Sequence, residues 1–152
     1  MKSTSLLAIA GAVGGTALAA TGAAVLLLGD GEADARPAAT AAAHRDAGGI
    51  GRALRAAGAT GCVAEQTRVE CRYEGRYVAA AVFTPDTGMT VDTALESWKS
   101  GVGQGALGEQ GAFSLLRGPN WLVTGPRAMV DKVRPELGGD ALHCDRPFGA
   151  CA

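Results

Sequence analysis

Apolar residues fall along this chain in three rhythms, and each rhythm predicts a different kind of element. From Leu6 to Gly29 (LLAIAGAVGGTALAATGAAVLLLG) they run without a break, and no Asp, Glu, Lys, Arg, Pro, Asn or Gln interrupts them. At about 1.5 Å per residue, a helix of that length covers about 36 Å, enough to cross a hydrocarbon core of about 30 Å. In the second rhythm, Val69, Cys71 and Tyr73 alternate with Arg68, Glu70 and Arg72, a period of two that predicts a strand. In the third, apolar side chains recur every three or four residues, as in Ile50, Ala53, Leu54 and Ala57, and predict short amphipathic helices.

Taken in order, the first helix is expected over Ala47 to Ala57, capped by Asp46 and ended by Gly58. Strands follow in GCVAE, RVECRY and RYVAAAVF, with Gln66-Thr67 and Glu74-Gly75 as the turns. The second turn pairs Tyr73 with Arg76, Cys71 with Val78 and Val69 with Ala80 on a buried face. On the other face Tyr77, Ala79, Ala81 and Phe83 form an apolar strip bordered by charges. A second helix is expected over Val91 to Ser100, capped by Thr90, with Val91, Leu95 and Trp98 buried and Gly101 as the stop. Gly101 to Gly111 reads as a loop. Phe113 to Leu116 and Trp121 to Thr124 read as a second hairpin about Gly118-Pro119-Asn120. A third helix then opens at Pro126 and buries Met129, Val130, Val133 and Leu137, with Pro135 expected to kink it or end it near Arg134. The remainder reads as a tail.

The order α-β-β-β-α-β-β-α predicts an α+β fold, a small antiparallel sheet of about five strands covered on one face by helices. Three regions follow: a transmembrane anchor or signal segment over 1–29, an Ala-rich linker over 30–45, and a domain over 46–152. Lys2 precedes the apolar stretch, while Asp30, Glu32 and Asp34 follow it, so the domain is placed outside the cytoplasm. The anchor reading gives a single-pass cell-membrane protein. Cleavage at a small-x-small site such as Ala33-Asp34-Ala35 gives a secreted one.

Three segments carry a resemblance. Cys71-Arg72-Tyr73-Glu74-Gly75 precedes a strand, Trp98 lies on a helix, and Trp121-Leu122-Val123-Thr124-Gly125-Pro126 precedes a helix ending in Leu137-Gly138-Gly139. In these the chain resembles small uncharacterised exported or membrane-anchored α+β proteins of high-GC, actinobacterial-type bacteria. The resemblance implies location and fold, and no activity.

Export makes the four cysteines a disulfide framework, with three pairings open. If Gln66-Thr67 is a two-residue loop, its register sets Cys62 opposite Cys71 in a non-hydrogen-bonded pair, where Cα atoms lie about 4.5 Å apart. Cys144 and Cys151 then pair around Asp145 to Ala150 and pin the tail. Each ring contributes about 2.5 kcal/mol on the loop-entropy account.

Composition removes several functions. With 14 basic against 15 acidic residues and no basic block, nucleic-acid binding has no support. No C-x-x-C, H-E-x-x-H, G-x-S-x-G or S-x-x-K is present, so no metal or cofactor is expected. Gly103-Gln104-Gly105-Ala106-Leu107-Gly108 matches the dinucleotide fingerprint, but follows a helix where that motif needs a strand. The sequence therefore points to a non-catalytic module. It contacts the membrane through residues 6–29 and a protein or envelope partner through the candidate contact strip Tyr77, Ala79, Ala81 and Phe83. The alternative is a small exported enzyme built on His143 and a free Cys144.

Overall fold

The structure, a computed structural model, describes residues 39–152. The anchor or signal segment and most of the linker lie outside the described residues. Among the described residues no helix is long and apolar enough to cross a membrane.

The fold is α+β. Helix α1 (Gly48–Ala56) leads into strands β1 (Thr60–Ala64), β2 (Arg68–Tyr73) and β3 (Arg76–Val82). A 3-10 turn at Pro85–Thr87 precedes helices α2 (Val91–Lys99) and α3 (Val102–Ala106). Strands β4 (Phe113–Arg117) and β5 (Trp121–Gly125), helix α4 (Arg127–Leu137) and strand β6 (Asp140–Cys144) complete it. The six strands form one antiparallel sheet in the order β1-β2-β3-β5-β4-β6.

The expected β2–β3 register is present pair for pair, from Tyr73 opposite Arg76 to Arg68 opposite Ala81. Glu74 and Gly75 both adopt positive φ, 51° and 79°, which a tight two-residue hairpin turn requires. The β1–β2 register also follows the two-residue loop at Val63 opposite Glu70 and Ala64 opposite Val69. It then slips by one, with Thr60 facing Arg72. The slip comes at Gly61, whose φ of 60° makes a bulge easy there.

Helices cover both faces, not one. On the first face α1 and α4 pack Ile50, Leu54, Met129, Val130 and Val133 onto Val69, Val78, Ala80, Leu116, Trp121 and Val123. On the second face α2 packs Val91, Ala94 and Leu95 onto Phe113, Leu115 and Leu122. Residues facing water on a one-sided sheet are thus enclosed, and every residue of β5 is buried. Trp98, expected in the buried stripe of α2, is half-buried at its margin.

Four further expectations need correction. The tail holds a sixth strand, β6, paired with β4 from Phe113–Cys144 to Arg117–Asp140. The loop after Gly101 contains the short helix α3. Pro126 is the cap residue of α4 and not its first helical position, and the helix runs through Pro135 to Leu137. Pro135 stands in the last turn, so its ring forfeits only the bond to the carbonyl of exposed Asp131, which water can satisfy.

The last correction concerns the linker. Among the described residues, ordered contacts are already present at Ala39, before Asp46. Ala39 N donates to Pro135 O at 3.3 Å, and His44 N donates to Asn120 Oδ1 at 2.9 Å. Asn120 Nδ2 returns a bond to His44 O at 2.7 Å, and Trp121 Nε1 donates to Ala42 O at 2.8 Å. Residues 39–45 are a strap that satisfies the buried indole of Trp121, and His44 is half-buried against its ring edge.

Both disulfides join the expected partners, Cys62 with Cys71 and Cys144 with Cys151, at Cα separations of 4.1 and 4.0 Å.

Candidate functional site

The second face carries an open groove. Alternation along β3 sends Val78, Ala80 and Val82 into the first core, and Tyr77, Ala79, Ala81 and Phe83 to the opposite side. There α2 covers only the β4–β5–β6 half of the sheet. At Gly101, with φ of 65°, the chain turns sharply out of α2, and α3 crosses back over Tyr77. Between them lies a cavity of about 300 Å³. Ala79 and Ala81 form its floor with Thr124, Phe83 and Trp98 stand at its sides, and Val102 and Gly103 come from α3. Arg68, Ser97 and Gln104 add polar groups to its margin.

The cavity exists because the floor is built from alanine. Two methyl groups stand where longer side chains would fill the space under α3. The candidate strip is therefore not an open surface. Tyr77 and Ala79 are buried, Ala81 and Phe83 half-buried, and together they make one wall of a roofed groove.

Two contacts hold the roof. Gln104, only 2% exposed, donates its amide to Thr124 Oγ1 at 2.5 Å. Glu109, on the connection after α3, accepts from Tyr77 N at 2.5 Å and from Arg76 Nε at 3.3 Å. Arg76 also donates to Ala112 O at 2.8 Å. A half-buried carboxylate paired with an arginine and a backbone amide is a firm clasp.

At the other margin Arg68 pairs with Glu70 and reaches Tyr77 Oη at 3.5 Å, and Tyr77 Oη donates to Glu70 Oε1 at 3.1 Å. Burial pushes the Tyr77 phenol above its ordinary pKa. The Arg68 contact pulls it down, and Glu70 adds to the rise. Arg72 lies 5.8 Å over the Tyr77 ring.

The residues of the enzyme alternative sit elsewhere. Cys144 is bonded to Cys151, and no free cysteine is present among the described residues, so a thiol nucleophile is not available there. His143 Nδ1 lies 2.7 Å from Ser114 Oγ across the β4–β6 pair. A Ser–His contact suggests nucleophilic chemistry, but Ser114 is fully buried and no substrate carbon can reach its oxygen. None of the ion pairs among the described residues includes His143. The glycine motif at Gly103 falls on α3, which follows a helix, so the strand-to-helix turn that cradles a pyrophosphate is missing.

Sequence reasoning reached the floor of the groove but not its roof. Gln104, Thr124 and Arg68 went unremarked as site residues. A polar residue inside the run Trp121-Leu122-Val123-Thr124-Gly125 was the signal that a partner had to be found for it.

Comparison with protein-family models, curated proteins and solved structures finds no match to this chain.

Proposed function

We propose that this protein is a non-catalytic, extracytoplasmic binding module that engages a protein or envelope partner through the groove on its second face. Residues 6–29 hold it in the membrane as a single-pass anchor, or cleavage after them releases it. Two disulfides suit an oxidising compartment, and the flanking charges of the apolar stretch favour the same side. The resemblance to exported proteins agrees with that placement.

The observation that carries the reading is the groove itself. An apolar cavity with a few convergent polar groups is the usual form of a binding site, and here it is roofed by α3 and not filled. Its lining contains neither a histidine nor a carboxylate, which suits binding better than chemistry.

The test is photo-crosslinking in intact cells with a benzophenone amino acid in place of Ser97, at the exposed rim. A discrete adduct that disappears when Ala81→Trp fills the groove supports the reading, provided the filled variant keeps its melting temperature within a few degrees. An adduct unchanged by Ala81→Trp, or none above background, refutes it. Protease added to intact spheroplasts should digest the domain. Protection would refute the extracytoplasmic placement.

A further inference from the structure

We infer that the outer surface of α1 and α4 is a docking face for anionic phospholipid headgroups, which lays the domain against the bilayer that residues 6–29 span. The inference rests on the anchor form of the reading above and adds how the domain meets the membrane. It does not depend on what the groove takes.

Charge is divided unevenly between the two sides of the sheet. Arg68, Arg72, Arg76, Lys99 and Arg117, on β2, β3, α2 and β4, each pair with a carboxylate. Arg45 on the strap, Arg52 and Arg55 on α1, and Lys132 and Arg134 on α4 are all exposed. Among the described residues none of these five joins an ion pair. Lys132 donates to Tyr73 Oη and Arg134 to Gly139 O, and neither contact neutralises a charge. The carboxylates on the same elements are fewer. Asp46 accepts from Gly48 N, Asp131 pairs with Arg127, and Glu136 stands alone among the described residues. Glu74, in the β2–β3 turn, acts on Lys132 from the side. With Arg127 counted, this layer holds six basic residues against three acidic ones, a net of three positive charges. Residues 39–152 hold twelve of each sign, so the remainder carries the opposite excess. A one-sided field of this kind orients a domain toward an anionic surface.

Two further observations say what covers this face. The first is where the tether enters. Ala39 N donates to Pro135 O in the last turn of α4, and the strap runs from there to the start of α1. Residues 30–38 alone separate Ala39 from the apolar stretch, and nine residues reach at most about 30 Å. The α1–α4 surface is thereby kept at high effective concentration near the headgroups. The second is the kind of surface. None of the large exposed hydrophobics among the described residues lies on α1 or α4. Such a face suits headgroup phosphates, and lacks the apolar centre of a protein interface. Docking here leaves the groove, on the opposite side of the sheet, open to its partner.

The test uses the full chain in nanodiscs of phosphatidylcholine, alone or with about 30% phosphatidylglycerol, and a soluble amine-acetylating reagent. Lys132 is on the proposed face and Lys99 is on α2, across the sheet, so Lys99 is the internal reference. Anionic discs should lower the Lys132-to-Lys99 acetylation ratio, read by mass spectrometry, about threefold or more. About 0.5 M salt should restore it. Arg52→Gln combined with Arg55→Gln, two exposed changes that break no ion pair, should restore it at low salt with the melting temperature unchanged. An equal ratio in both lipids, or a fall that survives salt or the double variant, overturns the docking face. A ratio low in both lipids that rises only when Asp30→Asn, Glu32→Gln and Asp34→Asn are combined makes the linker's own carboxylates the occupant, and also overturns it. A chain that does not co-elute with the discs removes the anchor reading and this inference with it. A co-eluting chain with an unchanged ratio removes the docking face alone.

Discussion

Gly101 is the position where α2, α3, β4 and the disulfide loop meet, and a single added methyl there tests how the groove is built. A Cβ on Gly101 would lie 2.8 Å from Phe113 Cε1, 2.9 Å from Phe113 Cζ and 3.0 Å from the Cα of Pro147. Phe113 is 1% exposed and Pro147 is buried inside the Cys144–Cys151 loop, so neither can retreat into solvent. Gly101 also has φ of 65°, where an alanine costs about 1 kcal/mol in strain. The matched control is Gly108, at the other end of α3. Its φ is 79°, and a Cβ there meets nothing within 4 Å. Gly108→Ala therefore measures the backbone term alone, about 1 kcal/mol. Gly101→Ala adds overpacking against Phe113 and Pro147, about 1–3 kcal/mol more. Alanine lowers the entropy of the unfolded chain equally in both variants, so the difference isolates the contact. At about 4–5 °C per kcal/mol for a domain of this size, Gly101→Ala should melt about 5–14 °C below Gly108→Ala. Urea unfolding followed by circular dichroism gives the same gap as a free energy. If the two variants fall within about 0.5 kcal/mol of each other, the junction is looser than described, and the argument that α3 is held in a fixed place fails.

Three further outcomes test the strap, the roof and the phenol. Thr124→Val should leave the Gln104 amide buried without its acceptor, costing about 1–3 kcal/mol, with hydrogen exchange rising first in residues 102–106 and not in β2 or β3. Asn120→Ala removes both bonds to His44. It should raise exchange and proteolysis across residues 39–45 while the 68–82 hairpin stays protected; equal protection of the strap would show that Trp121 alone holds it. Because burial raises the Tyr77 pKa in the folded state, the unfolded chain loses this proton first as pH climbs. Stability from this group is thus complete below about pH 10 and declines as pH rises from there through the folded value. Tyr77→Phe should flatten that part of the stability profile, and an unchanged slope would refute the assignment.

The first hairpin was legible to the residue. Its register depends on local turn chemistry at Glu74-Gly75 and on a period-two pattern, and both are written in consecutive residues. The disulfides followed in turn: a two-residue loop at Gln66-Thr67 sets Cys62 opposite Cys71, in the register that Val63 and Ala64 keep before the slip, and Cys144 and Cys151 are left to pair with each other. Two-sided burial was also written in the chain, though less plainly: Tyr77 to Val82 and Trp121 to Gly125 contain almost no polar alternation, which marks strands covered on both faces. Expecting a one-sided sheet gave too little weight to that signal. The strand β6 was not legible, since Ala141-Leu142-His143-Cys144 has no clear period and becomes a strand only because β4 offers it an unpaired edge.

What the sequence determined by itself was therefore local: the apolar stretch over 6–29, the Thr90 cap of α2, the hairpin turns, the cysteine pairing and the α+β class. Each depends on residues a few positions apart, where sterics and short hydrogen bonds act before the fold exists. Only the tertiary structure decided the site. The alanine floor comes from β3, the roof from α3 across Gly101, the buried latch from Thr124 on β5, and the arginine from β2. Their meeting depends on strand order and on which helix covers which half of the sheet. Those are outcomes of packing whole faces against one another, and no short stretch of the chain contains them.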